Sequence, residues 1–258
     1  MEFAEWLVDQ AAIFLLLTIR MTGLFLSAPV LGSDNIPARV KVGVSLLFSI
    51  IIFPTIAPEV QVFYDPIVYI GIMVSELLIG LGIGLVASIL FASIQVAGQL
   101  IDMQMGFAIV NVLDPQSGIQ FPLMGYFKYV LAILIYFTID GHHLLIGAVY
   151  ESYEFLLPGQ YASFVGGGEV IMSLLTETFT LALRVGAPVL GVLFLTNIIL
   201  GLLARSVPQM NVFIVGLPIK VFVGFIGMIL LMPVYAMILD VIFESISGGI
   251  LDFLRALV

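Results

Sequence analysis

The chain has 258 residues, of which 62% are hydrophobic and only 10% charged, against about 45–50% and about 25% in ordinary globular domains. Eight Lys or Arg stand against seventeen Asp or Glu, giving a formal net charge of -9, and there is no cysteine. Together these values exclude a soluble domain, the basic footprint of a nucleic-acid binder, and any structural disulfide, thiolate metal site or cysteine nucleophile.

What remains is an integral membrane protein, or part of a complex equally starved of water. The first residues, Met1-Glu2-Phe3-Ala4-Glu5-Trp6, are acidic where a secretory signal is basic, and no small-residue cleavage site follows. The first apolar run is therefore expected to be retained as a helix. Apolar runs of about 20 residues, enough to cross roughly 30 Å of hydrocarbon, then mark the helices in order. The first spans Gln10 to Leu31 around Arg20, and the second spans Val42 to Pro58 without a charge. The third, Pro66 to Ile101, carries only Glu76. Its uncharged part from Leu77 onward would reach roughly 37 Å, so it must tilt, bend or project from the membrane. A fourth run, Pro122 to Ile139, contains Lys128. The fifth, Leu174 to Ala204, contains Glu177 and Arg184 and is interrupted by Pro188. The sixth, Asn211 to Leu239, contains Pro218, Lys220 and Pro233, and a short amphipathic segment, Val241 to Val258, has a break at Gly248-Gly249. The expected fold is all-α, a polytopic membrane protein with about six long hydrophobic helices, some broken or kinked, in a single domain over residues 1–258.

Two connections are long. Residues 102–121 are punctuated by Gly106, Asn111, Asp114-Pro115 and Ser117-Gly118, and residues 140–173 include His142-His143, Glu151, Glu154 and Gly166-Gly167-Gly168. Arg39, Lys41 and Arg205 lie in the first and fifth connections, whereas 58–66 and 140–173 carry only acidic charges. The positive-inside bias therefore puts the first and fifth connections in the cytoplasm and the N-terminus outside. No internal repeat is present, which weakens an inverted-repeat transporter.

Six charges interrupt apolar runs: Arg20, Glu76, Lys128, Arg184, Lys220 and Asp240. Facing lipid together they would cost roughly 15–20 kcal/mol on insertion scales. They must pair, face water or lie outside the hydrocarbon. No two carboxylates have the spacing of a proton relay. Gly80, Gly84, Ser88 and Ala92 repeat every four residues, a face that lets another backbone approach closely. Its occupant is either another subunit or the same chain, and the ladder marks the third helix as an interface helix in both cases. Adjacent His142 and His143 do not share a helix face as i, i+4 pairs do, and there is no further histidine; a zinc site is not expected. Ser75, Ser88 and Ser93 have no histidine within their run, and Gly-x-Ser-x-Gly is absent. Neither an enzyme nor a cofactor is expected.

The segment 102–121 is the most informative. It mixes Met103, Met105, Phe107, Ile109, Val110, Val112 and Leu113 with turn formers. Irregular backbone at membrane depth is tolerated when buried in protein or lining a cavity, and Met side chains adapt to changing shapes. The apolar content favours a plug across a pore over a loop resting on the bilayer.

Five pieces in order carry a resemblance. They are Arg20-Met21-Thr22-Gly23-Leu24-Phe25 with Ala28-Pro29; Ile36-Pro37-Ala38-Arg39-Val40-Lys41-Val42-Gly43; and Met105-Gly106-Phe107 with Asp114-Pro115-Gln116-Ser117-Gly118. Gly141-His142-His143 follows, with Asp140 where an asparagine is common, and the longest piece is Leu200 to Phe213 with Gly216-Leu217-Pro218-Ile219-Lys220. Over essentially its whole length the chain resembles the FliR family of flagellar biosynthesis proteins, and more broadly the matching subunit of type III secretion export gates. The resemblance implies one copy of this chain in a helical hetero-oligomeric export gate, with two partner membrane proteins (FliP-like and FliQ-like), in the bacterial inner membrane at the flagellar basal body. It implies a channel for unfolded exported proteins, closed by a plug that includes Met105, Gly106, Phe107, Ile109, Val110, Asn111, Val112, Leu113, Asp114 and Pro115. Gly80, Gly84, Ser88, Arg205 and Lys220 are expected at subunit interfaces, the two cations pairing with acidic groups of a partner or another helix. The alternative is a secondary transporter of a small solute, binding at the helices broken by Pro188 and Pro218.

Overall fold

The computed structural model describes residues 2–61, 64–107, 122–209 and 211–258. Expected positions Ile109, Val110, Asn111, Val112, Leu113, Asp114 and Pro115 lie outside the described residues. Among those described, the regular elements are all helices: α1 (Glu2–Ser27), α2 (Ala38–Ile56), α3 (Pro66–Met105), α4 (Leu123–Thr138), α5 (Gly141–Phe155), α6 (Phe164–Ser206), α7 (Val212–Leu230) and α8 (Met232–Leu257). Five are long and apolar enough to cross a membrane, and α4 with α5, bent by 65° at their junction, makes a sixth if counted as one span.

The chain forms two compact units. One comprises Met1–Leu90, Tyr136–Leu175 and Ser245–Val258; the other comprises Phe91–Ile135 and Thr176–Glu244. In the first unit α1 packs on α2 and α5. In the second, Ile101, Met105, Met124, Val189, Leu193 and Met228 make one buried cluster.

Local chemistry accounts for most helix ends. Asp65 accepts bonds from the Ile67 and Val68 amides at 2.8 and 3.4 Å, ahead of Pro66 in the first helical position, so it caps α3. Pro37 starts α2, and the break between α7 and α8 falls at Leu231, just before Pro233. Three sequence expectations are corrected here. Most of the connection 140–173 is helix, and α6 starts at Phe164 instead of near Leu174. The run Asn211 to Leu239 is divided at Leu231, and Gly248-Gly249 lies inside α8 without breaking it. Those glycines, like Gly166, answer to packing: a methyl on Gly249 would sit 3.2 Å from both Val86 and Leu174, and one on Gly166 would strike the carbonyl of Ala256.

Helix α2 is inside out by the standard of a soluble protein. Its buried stripe contains Lys41, Ser45 and Ser49 beside Ile52 and Ile56, whereas Leu46, Leu47, Ile50 and Ile51 are exposed. The polar groups are satisfied locally: Lys41 Nζ donates to the Gly32 carbonyl at 2.7 Å, and both serines donate to carbonyls one turn back at 2.8 Å. Such an outer face meets lipid or protein. The longest helices also tilt, bend or project from the bilayer. At about 1.5 Å per residue, the 40 residues of α3 and 43 of α6 amount to roughly 60 and 65 Å of helix, beyond the roughly 40–45 Å of a whole bilayer.

Candidate functional site

Two helix ends flank residues 108–121 in the sequence: the end of α3 at Met105 and the start of α4 at Leu123. Gly106, at φ +93°, ends α3 in the left-handed conformation that glycine adopts without strain. The Phe107 amide donates to the Asp102 carbonyl at 3.0 Å and the Gly106 amide to the Met103 carbonyl at 3.3 Å, the paired bonds of a Schellman ending. Met105 is fully buried in the cluster described above, and Phe107 packs against that cluster. The end of α3 and Phe107 are thus packed into the chain's own core.

At the other end, α4 begins after Pro122, which offers no side-chain acceptor to the free amides of the first turn. Asp102, from the last turn of α3, supplies one. Its carboxylate accepts from the Met124 amide at 3.1 Å and from Gly125 at 3.3 Å, the two amides that a capping side chain normally serves. Backbone contact reinforces the junction, because a methyl on Gly98 would strike the Cα of Gly125. Asp102, Gly98 and Gly125 were not singled out from the sequence. The available signal was an acid near the end of one helix and a proline-initiated helix with no cap of its own.

A cavity of about 290 Å³ lies beside this junction, lined by Gly106, Asn197, Leu200, Gly201, Leu217 and Lys220 among others. Asn197 donates to Gln104 at 3.2 Å. Lys220 is half-buried and Arg205 exposed, and neither forms an ion pair among the described residues. Arg184 and Asp240 are likewise on the surface of the chain.

The other interior charges are resolved inside the chain. Arg20 and Glu76 are 0% and 1% exposed. They form a bidentate pair, Nε to Oε2 at 2.7 Å and Nη2 to Oε1 at 3.0 Å. Arg20 also donates to Ser152 Oγ and the Leu156 carbonyl at 2.9 Å each, and its guanidinium stands 4.1 Å from the centre of the Tyr153 ring. One cation thereby ties α1, α3 and the C-terminal end of α5. For this pair, then, no partner subunit is needed. Lys128 is buried with its Nζ 3.3 Å from the Val185 carbonyl and 4.9 Å from the Tyr235 ring centre.

The small-residue ladder is occupied by the same chain. A methyl on Gly80 would collide with the Arg20 carbonyl, one on Gly84 with Ser27 Oγ, and the Ser88 hydroxyl donates to the Ser27 carbonyl. Gly80, Gly84 and Ser88 thus seat α1 of the same chain, one of the two occupants expected for this face. His142 and His143 depart from expectation. Their rings stand side by side, with centroids 4.2 Å apart, and with Asp140 they bring three ligand-type atoms within 4.8 Å of one another. They sit on the first turn of α5, where the positive end of the helix dipole disfavours a cation.

Helices of this length, with apolar outer faces and with Arg20, Glu76 and Lys128 held inside the chain, define a polytopic, all-helical membrane protein. Residues 11–246 match the family described as bacterial export proteins, family 1, and the chain belongs to that family. It is similar to the flagellar biosynthetic protein FliR of Bacillus subtilis (strain 168), 38% identical over 243 residues, covering 92% of this chain and 93% of the relative. The FliR of Escherichia coli (strain K12) is 29% identical over 247 residues, 93% and 91% of the two chains. That of Aquifex aeolicus (strain VF5) is 31% identical over 229 residues, 87% of each.

Proposed function

We propose that this chain is a non-enzymatic subunit of the flagellar type III protein export gate, forming part of the wall of a channel for unfolded proteins, with residues 102–121 as its plug. It works as a single copy with two other membrane proteins of the gate, FliP-like and FliQ-like, in the bacterial inner membrane at the base of the flagellum. The family membership and the FliR relatives support the export role. The observation that carries the assembly is the outer surface. Helices α3 and α6 are longer than a bilayer, their outer faces are largely apolar, and Arg184, Arg205 and Asp240 are left at the surface. Partner proteins account for both features, covering apolar surface beyond lipid and offering counter-charges to Arg205 and Lys220.

At Pro188, one of its two expected breaks, the transporter alternative finds no polar site. The small cavity beside Pro188 is lined by Lys128 and apolar or aromatic residues such as Phe127, Leu131, Val189 and Met228, which is not a convergent polar set for a solute.

Deleting residues 107–113 tests the plug. The expected result is an assembled complex recovered in normal amount with a membrane that leaks ions at rest. Unchanged ion permeability in assembled, plug-deleted gates would remove the plug role.

A further inference from the structure

We propose that the groove between α4, α7 and the start of α8 seats an apolar helix of a partner membrane protein, one carboxylate of which pairs with Lys128. This rests on the multi-subunit reading above and names where one partner docks. Lys128 is the only charge in the run from Pro122 to Ile139, and it is buried, at 5% exposure. Arg20 has a carboxylate, whereas Lys128 has none among the described residues. One of its N–H donors is spent on the Val185 carbonyl at 3.3 Å, and the Tyr235 ring centre stands 4.9 Å away. The described acids of the same compact unit do not serve it. Asp102 accepts the Met124 and Gly125 amides, and Glu177, Asp240 and Glu244 are exposed. A buried ammonium without a counter-charge is costly, and a carboxylate brought to it offsets that cost.

The surroundings select the partner's chemistry. A cavity of about 20 Å³ lies at Lys128, lined also by Val185 and Tyr235. That is room for a water-sized group, which suits the tip of a carboxylate and is too small for a lipid phosphate. Phe127, Met228 and Met232 line this cavity and also an adjoining one of about 420 Å³, which Leu123, Phe225 and Ile229 help to enclose without a polar side chain. Leu123, Phe127, Phe225 and Ile229 are exposed, so an apolar surface leads from the outside of the chain to one buried cation. The two methionines at the junction can shift to admit a side chain. An apolar helix with one Asp or Glu covers this surface and supplies the missing charge. A helix without an acid would cover the surface and leave the ammonium unpaired.

The test uses the full-length chain isolated with its partner proteins, and the same chain expressed alone. Lys128→Met should leave the lone chain at least as protease-resistant as the parent, because it removes an uncompensated charge. In the complex it should lower recovery of one partner by roughly tenfold or more, because it strands that partner's carboxylate. Lys128→Glu should lose the same partner. Replacing each Asp or Glu in the membrane helices of the co-purifying proteins by Lys, one at a time, should find one position that restores it. If Lys128→Glu does not accumulate, Lys128→Met is set against neutral Asn or Gln replacements at the same partner positions, one of which should restore recovery. Full recovery of both partners with the Lys128 variants overturns the docking site, and so does a loss that no partner replacement restores. A lone chain weakened by Lys128→Met in step with the complex shows that Lys128 serves only its own fold, which also overturns it. Stabilisation of the lone chain by phosphatidylglycerol vesicles only when Lys128 is present assigns the ammonium to a lipid and overturns the partner carboxylate. A parent chain that recovers no other membrane protein overturns the multi-subunit reading itself, and the docking site with it.

Discussion

Replacing Arg20 with Leu should remove most of the folded chain from the membrane, and replacing Glu76 with Leu should do the same. Each substitution leaves one charge fully buried with no counter-charge, a loss of about 3–5 kcal/mol, out of a net stability of about 5–15 kcal/mol for a typical domain. The damage at Arg20 is wider than the ion pair. Four of its N–H donors are spent, two on Glu76, one on Ser152 and one on the Leu156 carbonyl. Removing the guanidinium strands a backbone acceptor at the end of α5 as well as a carboxylate. The double substitution Arg20→Leu with Glu76→Leu should be much milder than either alone, because two apolar side chains need no partners in an apolar core. Protease resistance and thermal unfolding of the solubilised chain measure this. A double variant as unstable as the two losses added would mean that the two charges do not interact.

The second large effect belongs to the smallest side chains. Gly80→Ala places a methyl against the carbonyl of Arg20, and the reciprocal position is equally full, since a methyl on Gly23 would stand 2.7 Å from the Leu77 carbonyl. Neither obstacle is the tip of a flexible side chain, so α1 and α3 must move apart. Overpacking of this sort costs about 1–3 kcal/mol, and the shift falls on the residue that makes the buried ion pair. Gly71→Ala and Gly191→Ala are the contrast. They lie inside α3 and α6 with nothing within 4 Å of the added methyl, so alanine should be neutral or gain about 0.5–1 kcal/mol of helix stability. A thermal midpoint that falls for Gly80→Ala and holds for the other two is expected. Equal midpoints in all three would show that the backbones are not in contact at Gly80.

These two cases also show what was legible in the sequence. Apolar runs and proline positions located α2 to α4 to within about four residues, because length and punctuation follow from the bilayer and the peptide bond, whereas α1 starts at Glu2 and not at the expected Gln10. They failed at α5 and the first turns of α6, where Glu151, Glu154 and Gly166-Gly167-Gly168 have the composition of a loop. A glycine states only that a methyl would not fit, by conformation or by contact, and at Gly166 the reason is the neighbouring carbonyl of Ala256. The interior charges are expected to pair, face water or lie outside the hydrocarbon; Arg20 and Glu76 do pair, but they are 56 residues apart, and no spacing rule joins them. Asp102 was hidden for a similar reason. A cap is sought within the helix it serves, and this one comes from the preceding helix, across the segment that it spans.

The most direct measurement concerns what the segment around Phe107 faces during export. A photo-crosslinking residue in place of Phe107 or Ile109, in cells where an exported protein is stalled in the apparatus, reports its neighbours. The plug role predicts crosslinks to the stalled chain at both positions, lost when export is not engaged. Crosslinks confined to the membrane partners, with none to the stalled chain, would contradict it and leave the protein a scaffold outside the channel.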